Sequence, residues 1–166
     1  MLLLAVAAAL AADPAPPSAD VLTEATVAAS PEAIVAVLTE LSRFQTALPP
    51  LCVGRFVPGT PASGKGATAR IRYDMAAMHR NLTFTITRVE ADPSRSIVDF
   101  DHATDLGFIT RWTLTPGEAG TAVSVKTALN APPWPFTAYY FAAIKPEWMS
   151  CQAEIVQNVA KLAGGS

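Results

Sequence analysis

The hydrophobic pattern of the chain changes period twice, and the order of those changes constrains the fold more than any single motif. Ser30 to Leu41 reads as a short amphipathic helix, residues from about 52 to 129 as six successive period-two strands, and Pro146 to Leu162 as the core of a long amphipathic helix. A sheet with one apolar face needs a cover. The only element long enough to supply it arrives last. The final helix is therefore expected to lie across the concave face of a sheet that curls round it, an α+β arrangement that often leaves a cavity between the two.

The local signals agree. Val21, Thr23, Ala25 and Val27 alternate as a half-buried first strand does. Ser30-Pro31-Glu32 opens a helix with an N-cap, a proline at the first helical position and an acid near the positive end of the dipole. Ile34, Val37, Leu38 and Leu41 share one face, and Ser42 to Leu48 continue as a second short helix ended by Pro49-Pro50. Cys52–Val57, Ala67–Met75, Asn81–Glu90, Ile97–His102, Phe108–Thr115 and Thr121–Leu129 then alternate, with short turn-forming separators that predict an antiparallel meander. In the last helix Tyr140, Ile144, Trp148, Cys151, Ile155, Val159 and Leu162 form one stripe, while Gln152, Glu154, Gln157 and Lys161 fall on other faces. Pro146 disfavours a helical Lys145, so a kink or break is expected near 143–145.

A chain of 166 residues is one domain by size, expected to bury roughly 68–70% of its unfolded surface. Only 16% of it is charged and 51% is hydrophobic, so disorder is excluded for most of its length. The net charge of −2 comes with no cluster of Lys and Arg beside aromatics, which argues against nucleic acid as a partner. No apolar run approaches the ~20 residues of a membrane-spanning helix. Residues 1–12 (MLLLAVAAALAA) have the length of a signal-peptide apolar region and end near a small-x-small site, although a basic start is missing. They read either as a signal peptide for secretion or periplasmic export, or as an alanine-rich frayed terminus of a cytoplasmic protein. Residues 13–20 are a proline-rich leader, and 21–163 form the folded domain.

Taken together, VAASPEAIVAVLTELSRFQTALPPL, PGTPASGKGATARIRY, ITRVEADPSRS and TRWTLTPGEAGTAVSVK, followed by the terminal helix, resemble the START-like, helix-grip superfamily, which includes pollen-allergen-like proteins, polyketide cyclases and lipid-transfer domains. The order and spacing carry the resemblance over about residues 20–162. It implies a curved seven-stranded antiparallel sheet gripping a C-terminal helix, with two short helices after the first strand. It also implies an interior pocket for lipid, sterol-like, quinone or polyketide ligands. It implies no catalytic set, because the superfamily shares none.

Strand parity proposes the lining of such a pocket. Leu82, Phe84 and Ile86 share a face, as do Val98, Phe100 and His102; so do Phe108, Thr110, Trp112 and Leu114. Ile71, Tyr73 and Met75 oppose Arg70, Arg72 and Asp74. The candidate ligand contacts are therefore Tyr73, Phe84, Phe100, His102, Phe108, Thr110 and Trp112 on the sheet, with Tyr140 and Trp148 on the helix. A one-residue bulge inverts any of these lists.

The remaining motifs point to no cofactor and no metal. Gly59 to Lys65 copies a phosphate-binding loop up to its last position, but Gly66 replaces Ser or Thr and a strand pattern follows where a helix is required. Asp99, Asp101, His102 and Asp105 crowd into one stretch, yet alternation sets Asp99 and Asp101 against His102, and the carboxylates are expected to keep a sheet surface wet. His79 is expected at an exposed turn, and His102 is the better proton carrier. Cys151 sits on the apolar stripe, while Cys52 starts a strand that the resemblance brings near the terminal helix; inert thiols and a Cys52–Cys151 disulfide both fit.

Three functional classes follow. The first is binding or carriage of a hydrophobic small molecule; the second is a cyclase- or dehydratase-like enzyme needing an acid–base pair such as His102 with Tyr73. The third is a structural module with a filled core. Nothing in the sequence names a protein partner.

Overall fold

The computed structural model of the protein describes residues 21–75, 78–103, 108–129 and 139–165. Seven strands run in chain order as β1 (Val21–Val27), β2 (Val53–Pro58), β3 (Thr68–Met75), β4 (Met78–Asp92), β5 (Arg95–Ala103), β6 (Phe108–Gly117) and β7 (Gly120–Leu129). They form one antiparallel sheet in the order β1-β7-β6-β5-β4-β3-β2. From β2 onward every neighbour in sequence is a neighbour in space, the meander that the short separators predict. The first strand closes the far edge by pairing with the last.

Two short helices, α1 (Pro31–Thr39) and α2 (Leu41–Ala47), follow β1. Ser30 caps α1 by accepting from the Ala33 N–H, and Ile34, Val37 and Leu38 turn inward. At the break between the helices Leu41 donates to the Ala62 carbonyl and Gly64 to the Thr39 carbonyl, which docks the β2–β3 loop onto the helical pair. This is the segment that mimics a phosphate loop; a strand follows it, and these amides are taken up by the fold.

The terminal helix α3 (Lys145–Gly164) is preceded by a π-helical turn, Tyr140–Ile144. The expected disruption before Pro146 thus takes the form of a widened turn, which lets the chain continue in one direction while giving up a regular hydrogen bond at the proline. Helix α3 packs on α1, α2 and β1 and buries Trp148, Cys151, Ile155, Val156 and Val159. Lys161 is exposed. Asn158 donates to the Ala47 carbonyl, satisfying the end of α2 from α3.

Two features depart from expectation. Gln152 is buried rather than on an outer face of the helix: its amide bonds Thr23 and the Val125 carbonyl, and its Oε1 accepts from Thr127, which pairs in turn with Thr110. A buried amide costs stability unless every donor is met. Two threonines and a carbonyl meet this one. Asp99 also fails to wet the sheet surface. It is buried, and its two oxygens take a bidentate pair from the directly opposed Arg111 at 2.8 and 2.7 Å.

Candidate functional site

The register ends β5, β6 and β7 level with one another at His102, Phe108 and Leu129, while the β3–β4 hairpin, with Met75 paired to Met78, projects beyond Ala103, which pairs with Thr83. Tyr73 lies two residues before the end of β3, His102 one before the end of β5, and Phe108 at the start of β6. Trp148 reaches the same place from the first turn of α3. Alternation turns the three sheet side chains inward, and all four residues are buried.

Their rings form a continuous cluster. His102 stacks on Phe108 at 4.0 Å, Trp148 meets Phe108 edge-on at 4.7 Å, and Tyr73 contacts Trp148 at 5.0 Å and Phe108 at 5.6 Å. Such pairs are each worth about 0.5–1.5 kcal/mol beyond the area they bury. Phe84 touches His102 at 5.2 Å and links this group to a second one, in which Phe100, Phe84 and Phe56 pack around Phe44 of α2. Phe44 and Phe56 belong to this second group, and parity on the strands proposed alone does not reach them.

Inside the first cluster is a polar pair. The Tyr73 hydroxyl lies 3.0 Å from Nε2 of His102. Burial raises the phenol well above its ordinary range and lowers the imidazole to about 3, the latter opposed only weakly by the Phe108 backbone. Both rings are therefore neutral at any ordinary pH. Although the Phe108 backbone lies near enough to favour the proton slightly, Nδ1 of His102 has no partner at hydrogen-bonding geometry. Nε1 of Trp148 has none either.

The other expected contacts are distributed as follows. Thr110 and Trp112 are buried on the inward face of β6, with the Thr110 hydroxyl committed to Thr127. Phe84 and Phe100 are at most 1% exposed and face the α2 side. Tyr140 falls in the π-helical turn, and its side chain lies outside the described residues, as does Asp105. His79 belongs to β4 rather than to a turn and is exposed, with Nδ1 bonded to Asp74. No group of His, Cys, Asp and Glu among the described residues could hold a metal ion.

Cys52 and Cys151 form a disulfide joining the start of the β2 region to the second turn of α3, with 99 residues of sequence separation. Both are buried. No helix among the described residues is long and apolar enough to cross a membrane.

The same fold occurs in the solution structure of KanY protein, at a TM-score of 0.72 and 14% identity over 90% of this chain and 99% of that one. TTHA0849 from Thermus thermophilus matches with a TM-score of 0.68 and 14% identity, covering 86% of this chain and 95% of the other. The hypothetical protein jhp0584 from Helicobacter pylori matches at 0.65 and 8% identity, over 86% of each chain. A comparison with curated protein sequences finds no match. At such identities these likenesses concern the fold alone. A family model described as polyketide cyclase / dehydrase and lipid transport matches residues 18–160, nearly the whole folded chain, and the protein belongs to that family.

Proposed function

We propose that the protein binds a hydrophobic small molecule at the aromatic end of the sheet, between Tyr73, His102, Phe108 and Trp148. The observation that carries this reading is the neutral Tyr73–His102 pair inside a ring cluster at the strand ends. Filling a core requires no polar groups, and leaving buried nitrogens unbonded costs roughly 1–3 kcal/mol each. Apolar walls with a few convergent polar atoms are the usual make-up of a small-molecule site. The family, described by polyketide cyclases, dehydrases and lipid transport, is compatible with such a ligand.

The energetics of the pair favour holding a ligand over moving its protons. A general acid or base works best with a pKa near the operating pH. Here burial drives the two groups away from neutral pH in opposite directions. Export of the protein fits the same reading: the apolar stretch at residues 1–12 has signal-peptide length, and a buried disulfide suits an oxidising compartment.

Titration of the full chain with the neutral fluorophore N-phenyl-1-naphthylamine tests binding. Saturable binding with quenching of tryptophan fluorescence is expected, and Phe108→Ala should weaken it markedly. Absence of saturable binding by the unmutated protein, with nothing apolar co-purifying in native mass spectrometry, leaves a filled core as the better account.

A further inference from the structure

Resting on that binding reading, we infer that the ligand presents an uncharged acceptor oxygen to the indole N–H of Trp148, with His102 as a second donor. Indole Nε1–H can only donate. It is buried without a partner in a side chain that is 3% exposed, so what it lacks is an acceptor. For His102 the same conclusion follows from counting. If Nε2 donated to Tyr73, both the phenolic hydrogen and Nδ1 would be left unbonded. If Tyr73 donates to Nε2, only one hydrogen is left over, on Nδ1. The cheaper arrangement makes Nδ1–H a second buried donor. Both donor rings contact Phe108, so a single ring separates them. An apolar molecule with carbonyl or ether oxygens meets both needs.

The charge of the ligand follows from what surrounds the donors. Both are neutral, and the ring cluster contains no cationic side chain. Arg80, opposite Tyr73 in register, is exposed, and Lys145 is half-buried on the helix. The connecting residues 76–77, 104–107 and 130–138 contain no Lys or Arg. An ionised carboxylate placed against these donors would lose its hydration without a counter-charge. Trp148 thus selects ketone-like ligands over free acids.

Three naphthalenes substituted at the same ring position test this: isopropylnaphthalene, acetonaphthone and naphthoate, which share a shape and differ in their oxygens. Simple partitioning from water favours the hydrocarbon. The full chain should instead bind acetonaphthone about tenfold more tightly than isopropylnaphthalene, the worth of one hydrogen bond, with naphthoate weakest. Trp148→Phe should abolish the preference while still binding the hydrocarbon. Independently of any variant, the Trp148 indole N–H resonance should move downfield with acetonaphthone and not with isopropylnaphthalene. Equal or reversed affinity for the hydrocarbon, tightest binding of naphthoate, or an unmoved indole resonance overturns the inference while leaving hydrophobic binding intact. If none of the three binds, the binding reading falls and this inference with it.

Discussion

The hydroxyl of Tyr73 on β3 and Nε2 of His102 on β5 are 3.0 Å apart, so their hydrogen bond bridges the strand that separates them in the sheet. Each group is the other's answer to burial. Removing one leaves the other dry and unbonded.

Tyr73→Phe should therefore destabilise the fold by about 1–3 kcal/mol, and His102→Phe by a similar amount, because each strands a buried polar atom. The double variant should cost less than the two single costs added. Denaturant unfolding of the four proteins gives the coupling directly. Strict additivity would mean that the pair contributes no mutual stabilisation.

The depressed proton affinity of His102 fixes a pH dependence. Its folded value lies near 3 and its unfolded value near 6.5, so between them the unfolded chain holds a proton that the folded one lacks. Stability is then complete above pH 6.5 and falls as the pH drops towards 3. The window from about 6.5 to 4.5 lies above the range in which Asp74 and Asp92, held low by bonds from Arg72 and Ser94, begin to accept protons. Within it, the slope of unfolding free energy should approach one proton, ~1.4 kcal/mol per pH unit. His102→Phe should flatten that slope. An unchanged slope in the variant would show that His102 is not buried in the neutral form.

Arg111 and Asp99 predict an asymmetry between breaking a buried pair and deleting it. Arg111→Met leaves the Asp99 carboxylate buried without its guanidinium and should cost about 3–5 kcal/mol. Asp99→Leu combined with Arg111→Met should recover most of that, since two apolar groups need no counter-charge. Thermal or urea unfolding of both variants decides it, and equal losses would count against burial of the pair.

How far this arrangement can be read from the chain depends on which distances are local. Alternation within a strand is local, so the inward faces carrying Tyr73, Phe84, His102 and Phe108 follow from parity, and the disruption ahead of Pro146 follows from one residue's chemistry. Pairings across the sheet are not local. Asp99 reads as a surface acid until the β5–β6 register sets Arg111 directly opposite, a pairing that no local spacing marks. The bulge at Ile86/Arg88 shifts parity without a marker in composition, whereas the one at Val53/Arg55 falls on Gly54. Gln152 follows Cys151 at the margin of the apolar stripe, and only the arrival of Thr23 and Thr127 from two adjacent strands makes its burial tolerable. Nor does any spacing rule join cysteines 99 residues apart.

That long separation supplies the last prediction. Cys52 lies at the entry to β2 and Cys151 in the second turn of α3, so the bond closes almost the whole sheet into one loop. In the chain-entropy model, closing a loop of ~100 residues removes up to about 4.7 kcal/mol of freedom from the unfolded chain. The folded chain already orders both ends: Asn158 of the same helix bonds the end of α2, and the Cys52 backbone N–H donates to the Pro49 carbonyl. Loss of the bond should therefore act on the unfolded state and leave the fold standing. Cys52→Ala/Cys151→Ala should lower the unfolding free energy by about 2–5 kcal/mol while retaining the near-ultraviolet circular dichroism of the packed rings. Treating the unmutated protein with dithiothreitol should lower it by the same amount, and dithiothreitol should leave the variant unaffected. A variant as stable as the oxidised protein would mean that the disulfide does not form in solution, and would remove the support it lends to export.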